Sequence, residues 1–271
     1  MLDPGASRGG LEGYAILVTG GGSGIGLACA ARLAADGAAV TISGRREVAL
    51  ADAAQRIGAT AAHGGSVATV AGDVTVEADV QAMVAAALKP TGSLNGCIAN
   101  AGGGGALGAY DTHDVIEFQR ILNLNVLGTM LSVKYCLAHL RAAGNGSFVG
   151  MSSLASHITH RWFGAYCVGK AGIDAMMRNC ADENGADGVR FNAIRPGFIA
   201  TELMEGIPRD SDVYHSYVEN TPLGGVGQPD DVAQLARFLI GPESRWISGQ
   251  CIDVDGGHGL RRGPDFSTFV G

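Results

Sequence analysis

The chain has 271 residues, 46% of them hydrophobic and 17% charged. That is enough apolar side chain for a sizeable core, and it excludes the charge-rich, apolar-poor composition of a disordered chain. Glycine, at 43 residues, stands well above its usual share of about 7%, but it shows no three-residue period, which excludes a collagen-like fibre. The formal net charge of −7, spread along the chain, argues against a nucleic-acid partner.

The opening MLDPGASRGG carries an acid and a proline where a secretory signal needs an apolar run, so no export is expected. The uncharged stretch 90–110 is long enough to cross a membrane, yet it contains a proline, two asparagines and four consecutive glycines. It cannot be a lipid-facing helix. A soluble, cytoplasmic protein with no membrane partner is the expectation. The six cysteines (29, 97, 136, 167, 180 and 251) include no Cys-x-x-Cys pair, so they read as reduced thiols and no metal site is expected.

From residue 14 onward, short β-branched or apolar runs alternate with Ala- and Leu-rich segments. Strands are predicted at 15–19, 39–43, 67–71, 94–99, 147–151, 189–194 and 251–254. Helices are predicted at 25–35, 46–56, 77–88, 115–142, 165–184 and 230–240. Apolar strands separated by helices of ten or more residues predict a parallel sheet covered on both faces, a doubly wound α/β Rossmann fold. Neither a linker nor a repeat interrupts the pattern, so residues 13–257 read as one domain. Residues 1–12 and 258–271 read as tails. The long connection 199–228 reads as a substrate lid, with a short helix around Val213, Tyr214, Tyr217 and Val218 presenting an apolar face beside Leu203 and Met204.

After the first strand comes Thr19-Gly20-Gly21-Gly22-Ser23-Gly24-Ile25-Gly26, opening a helix. Glycines let the backbone approach a pyrophosphate, and the helix start supplies free N–H groups, so Gly20, Ser23, Gly24, Ile25 and Gly26 are predicted cofactor contacts. In NAD-selective Rossmann proteins an acidic side chain ends the second strand. Here the stretch reads Thr41-Ile42-Ser43-Gly44-Arg45-Arg46, and a guanidinium pairs with a 2′-phosphate that a carboxylate would repel. Arg45 and Arg46 therefore favour NADP(H) over NAD(H); the alternative is two solvated charges at a helix start.

These segments, with those that follow, resemble the short-chain dehydrogenase/reductase family in its form of about 250 residues, over residues 14–257. Asp73-Val74 resembles the pair that touches the adenine ring. Asn100-Ala101-Gly102 is similar to the turn supporting the sheet beside the cofactor. Arg195-Pro196-Gly197 through Thr201 is similar to the segment that holds the nicotinamide carboxamide, which implies contacts from Pro196, Gly197, Ile199 and Thr201. Asn125 resembles the helix asparagine that anchors a water relay to Lys170, and Lys170 by the same resemblance holds the nicotinamide ribose beside Tyr166. The Gly103-Gly104-Gly105 insertion, Gly225 and the long C-terminal tail depart from the family pattern. The resemblance also implies a homodimer or homotetramer, paired through the long helices at 115–142 and 165–184.

Tyr166 and Lys170 lie four residues apart on one helical face. An ordinary phenol, with pKa about 10, is a sluggish base at neutral pH, and a nearby ammonium is expected to lower it. Taken alone such a pair is a common surface arrangement. A serine hydroxyl at the end of the fifth strand adds an oxyanion donor; of Ser152 and Ser153, which face opposite ways, the family spacing selects Ser153. His157, His160 and Trp162 are candidate substrate-mouth residues. The expected activity is NADP(H)-dependent interconversion of a small apolar carbonyl compound and its alcohol, with Tyr166 as general acid/base. The Tyr–Lys spacing of four is narrower than in enoyl reductases of the superfamily. A catalytically silent NADP(H)-binding sensor or scaffold, and an NAD-dependent alcohol dehydrogenase of the same family, remain open alternatives.

Overall fold

The computed structural model describes residues 10–261, 263 and 266–269. Seven strands form one sheet: β1 (Ala15–Thr19), β2 (Ala39–Gly44), β3 (Ser66–Ala71), β4 (Gly96–Ala99), β5 (Ser147–Met151), β6 (Arg190–Pro196) and β7 (Cys251–Val254). All pairs are parallel, in the order β3-β2-β1-β4-β5-β6-β7. The order reverses between β1 and β4, and Rossmann-type sheets bind ligands at the carboxyl ends beside such a switch point.

Two helix layers cover the sheet. On one face lie α1 (Gly24–Ala35), α2 (Glu47–Gly58) and α8 (Pro229–Ile240), which bury Leu27, Leu33, Leu50, Ile57, Ala236 and Ile240. On the other lie α3 (Glu77–Leu88), α4 (Val115–Leu122), α5 (Gly128–Ala143) and α6 (Gly164–Asn184). There Met83, Leu131, Leu140, Ile173 and Met177 pack with Phe148 and Phe191 of the sheet. Central strands such as β1 and β5 are apolar because both their faces are buried. The edge strand β3 is largely exposed, so the expectation of a sheet buried on both faces fails at that margin.

The predicted helix 115–142 is interrupted. Between α4 and α5 the chain makes a π-turn, Asn123–Leu127, in which the Asn125 amide donates to the Ile121 carbonyl at 2.9 Å. A period-based reading cannot see one extra residue in a turn, and such bulges concentrate at functional sites. The whole run Val115–Ala143 is long and apolar enough to cross a membrane by length and composition, but its apolar side packs on the sheet through Leu131, Cys136 and Leu140.

The tails are also more ordered than expected. Leu11 is fully buried in the core, with its N–H donating to the Asp36 carbonyl at 3.1 Å; residues 1–9 lie outside the described residues. Beyond β7, His258 and Phe266 are buried as well. The long connection forms a 3₁₀ turn (Glu202–Gly206) and α7 (Asp212–Asn220), whose first turn is capped by Ser211 accepting from the Tyr214 N–H at 3.2 Å. Val213 and Tyr217 face inward. The side chain of Leu203, a predicted lid residue, lies outside those described.

Candidate active site

A cavity of about 580 Å³ runs along the carboxyl ends of the strands, within the usual range for a ligand cleft. Its walls include Gly20, Ser23, Gly24 and Ile25 of the glycine turn, Arg45 and Arg46 after β2, and Asp73 and Val74 after β3. They continue through Asn100, Ala101 and Gly102 after β4 and Pro196, Gly197, Ile199 and Thr201 after β6. Ser153, Tyr166 and Lys170 line the same cavity. Gly26 stands behind the wall, because a Cβ there would come within 2.3 Å of the Gly20 carbonyl oxygen; only glycine lets α1 start this close to β1.

The turn is held by its neighbour. Asn100 donates through its side-chain amide to the carbonyls of Thr19 and Gly20 at 3.0 and 3.1 Å. The Thr19 hydroxyl in turn accepts from the N–H groups of Asn100 and Ala101. The first turn of α1 carries no acidic residue, and its N-cap Ser23 makes no side-chain cap bond. Its free N–H groups and positive end suit a pyrophosphate. The residues present therefore fit a dinucleotide.

At the end of the cleft beside β2 and β3 the two arginines face carboxylates. Arg46 lies 3.8 Å from Glu202, both exposed. Burial raises the Asp73 pKa, but hydrogen bonds from the Thr75 N–H and hydroxyl, together with the Arg45 charge, outweigh it and leave the carboxyl below its usual value. Thr75 engages one carboxylate oxygen at 2.9 and 2.8 Å. Glu202 is a residue that the strand-end pattern could not indicate, since it arrives from the connection after β6.

At the other end, α6 is fastened to β5 and β6. The Ser152 hydroxyl donates to the Lys170 carbonyl at 3.0 Å, and Arg195 grips the buried Asp174 at 2.8 Å. Ser152 is thus occupied in packing, while Ser153 is near enough to Tyr166 to influence its pKa and accepts from the Ala155 N–H at 3.2 Å. The buried Lys170 donates to the Met151 carbonyl at 2.8 Å, with its ammonium 5.5 Å from the centre of the Tyr166 ring. Asn125 bonds the Gly103 backbone through both side-chain atoms and accepts at its carbonyl from the Thr129 hydroxyl at 2.7 Å.

The expected lowering of the phenol by the ammonium is not what this arrangement produces. Burial pushes the Tyr166 pKa up, against a smaller downward effect of the Ser153 hydrogen bond. Burial also pushes Lys170 down to about 8, with Asp174 opposing it. Desolvation disfavours the charged form of each group and is the largest influence on both.

The loop that leads into α6 packs aromatic side chains against Tyr166. Phe163, unnoticed in the sequence although it lies three residues before Tyr166, stacks on that ring at 4.6 Å. On its other side a Cβ on Gly104 would meet the Phe163 ring at 2.6 Å. Trp162 sits at φ 69, its carbonyl accepting from the Gly108 N–H at 2.9 Å. Its buried indole N–H has no partner among the described residues. His160 is buried, which pushes its pKa down to about 4. His157 is half-exposed and 3.8 Å from Asp253.

A family model described as enoyl-(acyl carrier protein) reductase matches residues 20–259. The chain is 34% identical over 242 residues to the cis-4-hydroxycyclohexanecarboxylate dehydrogenase of Sinomonas cyclohexanicum, covering 89% of this chain and 95% of that one. It is 34% identical over 256 residues to the 2-(S)-hydroxypropyl-CoM dehydrogenase 3 of Xanthobacter autotrophicus, covering 91% and 97%. Among solved structures, a short-chain type dehydrogenase/reductase from Mycobacterium ulcerans superposes with a TM-score of 0.93 at 43% identity, covering 96% of this chain and 94% of that one.

Proposed function

The chain belongs to the short-chain dehydrogenase/reductase family, and from that premise we propose that it interconverts a secondary alcohol and its ketone with NADP(H). Membership makes it an oxidoreductase acting on CH–OH donors with a nicotinamide cofactor. The observation that carries the finer reading is the meeting of Ser153, Tyr166 and Lys170 at one end of a cleft whose other end presents Arg45 and Arg46.

A bound nicotinamide supplies a hydride to the carbonyl carbon, or accepts one from the alcohol carbon. The residues of this chain manage the proton and the charge. Tyr166, kept protonated by burial, holds a proton at its Oη for the substrate oxygen, which becomes an alkoxide during reduction. The Ser153 hydroxyl, lining the cleft with Tyr166, donates to that same oxygen and stabilises its developing charge. Lys170, near its charge transition at about 8, balances the phenolate left behind, and Asn125 fastens the π-turn beside it.

Supporting NADP(H), no carboxylate stands between Ser43 and Arg46 at the end of β2. Supporting ketone over enoyl chemistry are the four-residue Tyr166–Lys170 spacing and the relatives' names, both of which denote secondary alcohols. The apolar mouth of Phe163, Trp162 and Tyr217 suits a small apolar substrate under the lid 199–228. We assign the protein to the cytoplasm as a homodimer or homotetramer. Val115, Ile116, Met130 and Val168, exposed on α4, α5 and α6, are the apolar residues that pairing would cover. The test is consumption of NADPH and NADH against a panel of ketones. Turnover of ketones with a preference for NADPH is expected, and cofactor binding with no turnover of any compound would overturn the reading.

A further inference from the structure

The segment after β7 does more than end the chain. Asp255 accepts from the N–H groups of Gly257 and Gly259 at 2.9 and 2.6 Å, and the left-handed Gly257, at φ 87, turns the backbone toward the site. His258 follows, fully buried, its ring edge-on to Tyr217 at 5.7 Å. Further along, Gly263 is seated so that a Cβ would lie 2.0 Å from the Thr159 carbonyl oxygen and 3.1 Å from His160 Nδ1. The tail is thereby pressed onto the loop between Ser153 and Tyr166.

This seating delivers one ring inward. Phe266 is 5% exposed, whereas Leu260 and Phe269 on either side are 83% and 43% exposed. Its ring centre lies 5.5 Å from Phe163 and 6.4 Å from both His160 and Tyr217. Phe163 is the residue stacked on Tyr166. Tyr217 is stacked face to face on Phe198 at 4.2 Å, the residue after Gly197 of the cleft. Phe266 therefore bridges the ring stacked on the reactive phenol and the ring stacked on Phe198, next to Gly197 of the cleft.

We propose that Phe266 is the distal wall of the substrate space and sets how long an alkyl chain the ketone or alcohol can carry past Tyr166. The assignment rests on the catalytic reading above. Its surroundings are aromatic and aliphatic: Phe163, Tyr217, Phe198, Val213 and Leu107. The group it meets is accordingly the hydrocarbon end of the substrate, and size rather than charge is what it discriminates.

The experiment compares kcat/KM for methyl ketones from butanone to 2-decanone in the wild type, Phe266→Ala and Phe266→Trp. Each methylene accommodated or refused in an apolar pocket changes discrimination by about tenfold or more. Phe266→Ala should raise the 2-decanone/butanone ratio at least about tenfold. Phe266→Trp should lower it, and NADPH affinity should stay within a few-fold in both. Rates that fall in parallel along the series, or an unchanged ratio in both variants, overturn the proposal. A wild type that reduces no ketone overturns the catalytic reading alone. Calorimetric binding of decanamide against butanamide to the NADPH-loaded protein then decides: Phe266→Ala should favour decanamide, and an unchanged ratio rejects the wall.

Discussion

The Lys170 ammonium donates to the backbone carbonyl of Met151 at 2.8 Å, so α6 hangs its one buried cation on the last residue of β5. That contact holds Lys170 with its ammonium 5.5 Å from the centre of the Tyr166 ring, and burial pushes its pKa down to about 8 from the usual 10.5. Below about pH 8 the folded and unfolded chains are both protonated at this residue, and the cost of burying the charge is fully present. Between about 8 and 10.5 the folded protein releases the proton first, so this contribution to stability rises with pH. Lys170→Met removes the buried charge and one hydrogen bond. The cofactor-free variant should be more stable at pH 7 by on the order of 1–2 kcal/mol, a gain that shrinks as the pH rises through that window. Urea denaturation of both proteins at pH 7 and pH 10 checks this, and a variant less stable at pH 7 would count against the buried cation.

The proposed mechanism gives the proton role to Tyr166. Tyr166→Phe should lower kcat by about 10²–10⁴ and leave the dissociation constant for NADPH within a few-fold, because the phenol acts in the chemical step. Ser153→Ala should show the same split with a loss on the order of 10². Steady-state kinetics paired with cofactor titration separate the two quantities. Loss of NADPH binding with unchanged kcat would place these residues in binding instead.

Cofactor choice is read at Arg45 and Arg46. Arg45→Asp should weaken NADPH on the order of 10–100-fold and improve relative use of NADH, since a carboxylate repels the 2′-phosphate. Arg46 already has a carboxylate 3.8 Å away at Glu202, so Glu202→Gln should strengthen NADPH modestly and leave NADH unchanged. Equal Michaelis constants for the two cofactors in the wild type would remove the basis for both expectations.

Much of this was legible in the residues, and the gaps have physical causes. Strands such as β1, β5 and β7 start and stop where their apolar runs do. Ser153, Tyr166 and Lys170 line one cavity with the glycine turn because strand ends and helix periodicity determine both. The π-turn at Asn125 escaped because it keeps the apolar spacing of a helix while adding one residue. Leu11, His258 and Phe266 lie in Gly-, Pro- and Arg-rich stretches that read as tails, yet each is a single buried anchor. One anchor has no period. The direction of the Tyr166 shift escaped for a different reason, since burial, which dominates it, is not written in a four-residue spacing.

The glycine insertion can be tested through Phe163. Gly104→Ala places a methyl 2.6 Å from the Phe163 ring, which is stacked on Tyr166. The overpacking should cost about 1–3 kcal/mol of stability and lower kcat, with NADPH affinity retained. Adding Phe163→Leu should recover part of both losses by yielding room. Thermal denaturation and kcat of the single and double variants decide. Recovery of neither, or a Gly104→Ala protein indistinguishable from the wild type, would show that the Phe163–Tyr166 stack does not position the phenol.

The central claim is that the hydride goes to a carbonyl carbon with Tyr166 delivering the proton, and an enone offers both possible acceptors in one molecule. Incubating the enzyme with cyclohex-2-enone and NADPH carrying deuterium at the transferred position, then locating the label in the product, tests it most directly. The expected product is the allylic alcohol, with deuterium on the carbinol carbon, and Tyr166→Phe should form none. Cyclohexanone labelled on the former double bond would contradict it and identify enoyl reduction as the activity of this site.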